Sequence, residues 1–157
     1  MLSIDSLIKQ TRTYRRFDES VAIDRLQIVR WLDIVRQTPS ARNAQPLKYI
    51  IITDTELCHE ITAKQHWASM LPEWDGPSVG ERPRAYLLQI LDTDIAPAAR
   101  FDEGIQLQAL GLLATEAGYG TCIFGGHGKA ELSRRLGLPT HLSINAIIAI
   151  GKPREEV

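Results

Sequence analysis

At 157 residues with 44% hydrophobic content, the chain is sized for one domain spanning residues 1–157, and such a chain buries about 68–70% of the surface its unfolded form exposes. Lys and Arg number 18 against 19 Asp and Glu, a formal net charge of -1, so no general field draws it onto nucleic acid or an anionic membrane and any basic function must be local. Cys58 and Cys122 are the two cysteines; far apart and without partners at zinc spacing, they exclude a disulfide framework and a cysteine metal cluster as expectations.

The N-terminus MLSIDSLIKQTR is charged and amphipathic, without the apolar core of a signal peptide. No stretch approaches the ~20 apolar residues of a membrane span, so the expected location is the cytoplasm. Ser3 to Lys9 reads as a short helix, and Ile23 to Val35 as a second whose apolar stripe is Leu26, Val29, Leu32 and Ile34. Pro39 stops that helix, and the polar run 42–46 leads into Lys48 to Thr53, a short β-branched run expected to be a buried strand. A helix over Thr55 to Lys64 follows. From His66 to Pro83 the prolines, glycines and two tryptophans show no period, which predicts a long loop that could wall a site or pack on the surface.

Arg84 to Asp92 is expected to be a strand, and Asp102 to Ala117 a helix apolar on most sides, hence central or covered by a partner subunit. Gly118 to Gly120 reads as a helix C-cap turn, Thr121 to Phe124 as a short strand, Lys129 to Leu136 as a helix and Leu142 to Ile150 as a final strand. The segment Gly151, Lys152, Pro153 then reads as a turn.

Three segments could carry chemistry. TRTYRRF (11–17) crowds Arg12, Thr13, Arg15 and Arg16; in an extended segment Thr13 and Arg15 would share one face, Arg12 and Arg16 the other. Guanidinium forks beside a hydroxyl suit a phosphate, through charge-assisted hydrogen bonds of about 1.5–3 kcal/mol each. Taken alone, the segment reads more simply as a solvated basic turn. PSARNAQP (39–46) sets a hydroxyl, a guanidinium and two carboxamides between a helix end and a strand; carboxamides match the amide-and-imide edge of a heterocycle, though an Asx turn closed by proline also explains them. GYGTCIFGG (118–126) carries glycine at both ends of a short strand. Glycines let a backbone approach a flat ligand, or simply make turns, and the spacing is not a dinucleotide fingerprint. His59, His66, His127 and His141 match no metal-ligand spacing.

In their order and joint presence, TRTYRRF, PSARNAQP and GYGTCIFGG, followed by a strand ending IAIGKP, resemble the nitroreductase-like FMN flavoproteins over nearly the whole chain. The resemblance implies an α+β fold with a central, mostly antiparallel sheet flanked by helices, and a homodimer with FMN between subunits. It implies Arg12 and Thr13 at the phosphate and ribityl chain, and Arg15 at flavin N1 and O2, where a cation stabilises anionic reduced flavin. Pro39, Ser40, Asn43 and Gln45 would hold the ribityl chain and ring edge; the main chain of Phe124, Gly125 and Gly126 would face the ring near N5. Phe17 and Cys122 are expected to be core. The activity implied is hydride transfer from NAD(P)H through flavin N5 to a small electrophile such as a nitroaromatic or quinone. The alternative is a flavin-binding or apo interaction protein of the same fold without turnover. Thr11 stands where many members have a first arginine, and the C-terminal arm usual in the family is short or absent up to Val157.

Overall fold

The computed structural model describes residues 2–126 and 128–157. Five helices and five strands follow one another as α1 (Ile4–Gln10), β1 (Phe17–Asp18), α2 (Arg25–Val35), β2 (Leu47–Ile52), α3 (Thr55–Lys64), β3 (Ala85–Asp92), α4 (Phe101–Glu116), β4 (Gly120–Phe124), α5 (Lys129–Arg135) and β5 (Leu142–Pro153), with a 3-10 turn at Ala41–Asn43. Side-chain caps start three helices: Ser3 Oγ accepts from Ser6 N, Asp24 from Leu26 N and Asp54 from Leu57 N. Each satisfies one of the amide groups a helix leaves without a partner at its N-terminus.

One antiparallel sheet forms the centre. β2 pairs with β3, β3 with β5, and the far edge of β5 carries β4 and then β1. All eight residues of β3 are buried, because helices cover both faces of the sheet. Tyr86, Leu88 and Ile90 join Ile147 and Ala149 beneath α3 and α5, while Ala85 and Leu87 join Ala146, Ile148 and Ile150 beneath α2 and α4. Strand alternation sorts the two sets. The register slips between Gln89 and Ile90, where Ala146 and Ile144 are the successive partners and Asn145 is the extra residue. This bulge turns Ile144 to the same face as Ile147. The bulged residue is held from both sides, its carbonyl by Lys129 Nζ and its carboxamide by Glu103.

Three expectations from the sequence change. The buried face of α2 is Ile28, Trp31 and Val35, with Leu32 half-buried, while Leu26, Val29 and Ile34 are exposed. The helix has apolar residues on opposite sides, and periodicity alone cannot say which side the sheet takes. β5 runs on through Gly151, Lys152 and Pro153 instead of turning, since Gly151 pairs with Gly120 and Pro153 with Phe17. A Cβ at Gly151 would lie 2.8 Å from the Phe17 ring, so glycine serves close approach here, not a turn. Finally, α4 buries two polar residues, Asp102 and Gln106, on its inner side, while Phe101 and Ile105 face outward. No helix among the described residues is long and apolar enough to cross a membrane.

Candidate functional site

The basic segment is fixed to the sheet edge that carries β4. Tyr14 N–H donates to Thr121 O at 3.0 Å, and Thr13 forms a parallel bridge to Thr121. Behind it Phe17 is fully buried, as expected. From the other side Glu155 accepts from Arg15 N and Arg16 N, at 2.5 and 3.0 Å, while Arg154 N donates to Arg16 O. Two adjacent amides on one carboxylate hold the backbone without using any side chain of the segment.

Arg12, Thr13 and Arg15 are left to border open space. A cleft of about 450 Å³ is lined by Thr11, Arg12, Thr13 and Arg15 from the segment, Leu107, Gln108 and Gly111 from α4, Thr121 and Ile123 from β4, and Val157. It contains two guanidiniums and no acidic side chain. The Arg12 guanidinium and the Thr13 hydroxyl have no partner among the described residues. Arg12 shares this cleft with Thr13 and Arg15, contrary to simple alternation; only Thr13 is bridged to the sheet, so the strand's strict alternation is not imposed on its neighbours. Arg16 leaves the group, lying 5.4 Å from the Trp74 ring and 3.9 Å from Glu81. Thr11, in the place of the family's first arginine, is already engaged: its hydroxyl donates to Leu7 O and lies 3.0 Å from Thr115 Oγ1, and its methyl is 3.1 Å from where a Cβ on Gly111 would be.

Arg15 also borders two further cavities. One, of about 210 Å³, runs along Gln65, His66, Trp67, Ala68, Ser69 and Cys122 to Phe124, Gly125 and Gly126; the other, of about 410 Å³, is walled by Met70, Leu71, Pro72 and Trp74 with Glu155. Arg15 is steadied by a hydrogen bond from Nε to Trp67 O at 2.8 Å. Trp67 itself is core, edge-on to Phe124 at 4.9 Å with its indole N–H donating to Thr62 O, so Met70, Leu71 and Trp74 are the loop residues left to wall the open side. A Cβ on Gly125 or Gly126 would meet nothing within 4 Å, and neither has positive φ. The chain's own packing does not require glycine there. Gln65 Oε1 is buried without a partner among the described residues at the same cavity. Burial pushes the Cys122 thiol up to about 12, with Arg15 opposing weakly; it is a core thiol, not a nucleophile at neutral pH.

The second sequence segment lies elsewhere. Pro39, Ser40, Asn43 and Gln45 line none of these three cavities. They sit at the N-terminal end of α4, where Ser40 Oγ and Ala41 N donate to Asp102, and Gly111 is about 14 Å further along the helix at roughly 1.5 Å per residue. Within one chain, then, Arg12, Thr13 and Arg15 come together with the Phe124 to Gly126 turn, and the carboxamide segment does not join them. The sequence gives no sign of Glu155 or Asp102, for no local pattern marks a carboxylate whose partners are 139 or 62 residues away.

Of the histidines, His59 pairs with Glu19 at 2.8 Å, and His127 lies outside the described residues. His141 groups with Asp92 and Asp94, where Lys48 Nζ already engages Asp92 at 2.5 Å.

The model of the nitroreductase family matches residues 8–152. The chain belongs to that family. Its members are oxidoreductases, and the match covers the 11–17 and 39–46 segments and the Phe124 to Gly126 turn. An iodotyrosine deiodinase of Thermotoga neapolitana is 26% identical over 98% of this chain and 90% of its own length. Among solved structures, an FMN-dependent nitroreductase of Clostridium difficile R20291 superposes with a TM-score of 0.81 at 18% identity, covering 98% of this chain and 90% of that one. A protein of Desulfovibrio desulfuricans assigned as a nitroreductase, crystallised with FMN, gives 0.77 at 22% identity over 99% and 88%. The nitroreductase fold expected from the three motifs is thus the fold observed.

Proposed function

We propose that this chain is an FMN-dependent oxidoreductase of the cytoplasm, acting as a homodimer and passing hydride from NAD(P)H to a small electrophilic acceptor such as a nitroaromatic or a quinone. The observation that carries the reading is the cleft with two guanidiniums, a free hydroxyl and no acidic side chain, continuous through Arg15 with open space above Gly125 and Gly126. An anion with a flat ring attached fits that arrangement. FMN, when bound, supplies hydride chemistry at flavin N5.

The residues divide the remaining work. Arg12 and Thr13 hold the phosphate and ribityl chain; Arg15, pinned by Trp67 O, sets a fixed positive charge at the pyrimidine edge and so favours the reduced, anionic ring. The amides of the Phe124 to Gly126 turn would face the ring, and Gln65 Oε1, without a partner among the described residues, is an acceptor of the kind an imide N–H satisfies. Met70, Leu71 and Trp74 limit water on the open side. No general acid is asked of the protein.

A second copy supplies what one chain lacks. α1 and α2 both contact α4, and the three helices together expose Ile4, Ile8, Leu26, Val29, Ile34, Phe101 and Ile105. An apolar surface spread over three touching helices calls for a partner. Asn43 and Gln45, exposed or nearly so and without side-chain partners among the described residues, would then reach the partner's cleft instead of their own. Two buried free thiols suit a reducing compartment.

The visible spectrum of the purified protein tests the reading. A flavin absorbance that bleaches under anaerobic NADH or NADPH is the expected result; a colourless protein that takes up no added FMN would falsify it. Arg15→Ala should weaken FMN at least tenfold, corresponding to about 1.4 kcal/mol. The full-length similarity to a deiodinase favours a second reading in which the acceptor is an iodinated phenol: release of iodide, but no reduction of nitroaromatics, would select it.

A further inference from the structure

The segment 39–46 carries a concentration of backbone strain. Arg42, Asn43 and Gln45 have φ of 57°, 55° and 52°, the left-handed region, which costs an L-residue other than glycine about 1–2 kcal/mol. Something must hold them there. Asp102, only 3% exposed, accepts from Ser40 Oγ at 2.6 Å through Oδ2 and from Ala41 N at 3.0 Å through Oδ1. Ser40 Oγ in turn accepts from Gln45 N at 2.9 Å. The hydroxyl therefore donates to the carboxylate and accepts from the far end of the loop, closing it like a clasp.

Asp102 has no cation beside it among the described residues. A buried carboxylate without a counter-ion is a weak source of stability, and an apolar residue of similar size would serve packing better. The helix N-terminus and the two donors stand in for the missing cation. What the carboxylate does achieve is geometric: with Ser40 consumed, Arg42, Asn43 and Gln45 keep their side chains unengaged. The same clasp ties them to α4, one residue from Phe101, which is 84% exposed.

We infer that Asp102 is a positioning residue for the flavin site, acting through Ser40 to hold the strained loop so that Asn43 and Gln45 are presented at a fixed place relative to the dimer face of α4. This rests on the FMN reading above and reassigns Ser40 from ligand to clasp. Asp102 touches no cofactor itself. It gives up stability for a loop that is already in its binding conformation, which removes an ordering cost from binding.

The test uses the full chain with FMN titrated by fluorescence quenching. Asp102→Ala should raise the FMN Kd at least tenfold. Asp102→Asn, whose single oxygen can accept from Ser40 Oγ–H or from Ala41 N–H but not from both, should raise the Kd less than Asp102→Ala does. In a background of Asn43→Ala with Gln45→Ala, Asp102→Ala should add less than about threefold, because both residues it positions are gone. A purely structural Asp102 would give independent, multiplicative losses, and that result overturns the inference, as does an unchanged Kd in Asp102→Ala. If Asp102→Ala does not fold, Ser40→Ala takes its place in the same cycle: losses that fail to multiply support the clasp, and multiplicative losses overturn it. Amide exchange of the apo-protein separates this inference from the FMN reading. Asp102→Ala should speed exchange at Ala41 and Gln45; a wild type that binds no FMN ends the flavin reading, while unchanged exchange at those two amides ends the clasp.

Discussion

The two segments that the sequence marks as polar and functional are built by opposite means. Thr11 to Phe17 is an extended run whose backbone is paired at both ends, to Thr121 on one side and Glu155 on the other, over the buried Phe17 ring. Ser40 to Pro46 is irregular, holds three non-glycine residues at positive φ and is closed by one serine and one aspartate. One segment is ordered because the sheet demands it; the other is ordered against its own backbone preference. Each is anchored by a carboxylate, Glu155 through two main-chain amides and Asp102 through one amide and the Ser40 hydroxyl, which leaves Arg12, Asn43 and Gln45 unengaged among the described residues.

The largest expected effect strikes the sheet-borne segment. Gly151→Ala would set a Cβ 2.8–2.9 Å from three atoms of Phe17, overpacking worth about 1–3 kcal/mol. Chemical denaturation should show that loss with no change of m-value, and an unaltered midpoint would mean that Phe17 is less confined than its burial implies. Next, Glu155→Ala strips an acceptor from two amides and should cost about 1–2 kcal/mol, whereas Glu155→Gln, which retains one oxygen, should recover most of it. Equal losses in both variants would show that charge, not hydrogen bonding, does the anchoring.

On the strained side the sign reverses. Arg42→Gly relieves a residue at φ 57°, and after glycine's greater chain entropy is subtracted it should raise stability by under about 1 kcal/mol. A decrease would mean that the arginine side chain makes a stabilising contact, and the contrast between the segments would weaken. The smallest effect at neutral pH belongs to Cys122, beneath the basic segment. Burial raises its folded pKa from 9.0 to about 12, so the folded protein gains from the neutral thiol below about pH 9 and loses that gain as pH climbs towards 12. Thermal stability should therefore fall off between these limits, less steeply in Cys122→Ala. Rapid alkylation of native Cys122 at pH 8 would contradict its burial.

Local pattern is enough where the physics is local. The periods and breakers locate β2, β3, β4 and α3 to within a few residues, since a β-branched run bounded by Asp54, or a capped helix starting behind it, depends on neighbours in sequence. The buried face of α2 is not legible that way, because Leu26, Val29 and Ile34 are as apolar as Ile28, Trp31 and Val35; only the sheet, and a surface left over for a partner, separates the two sets. Gly151 to Pro153 misleads for a related reason, the same residues that make turns being the ones that allow a ring to lie against a strand edge.

The family pattern is written in the chain order of residues: three motifs in succession, their residue chemistry, and hence the fold and the kind of cofactor to expect. How those motifs are distributed in space follows from packing. It gathered Arg12, Thr13 and Arg15 on one cleft, put the glycine turn on an adjoining cavity that Arg15 also borders, set the carboxamide loop at the far end of α4, and supplied Glu155 and Asp102 as anchors. Side-chain chemistry is written residue by residue, whereas proximity across 62 or 139 positions exists only once the sheet and helices have packed.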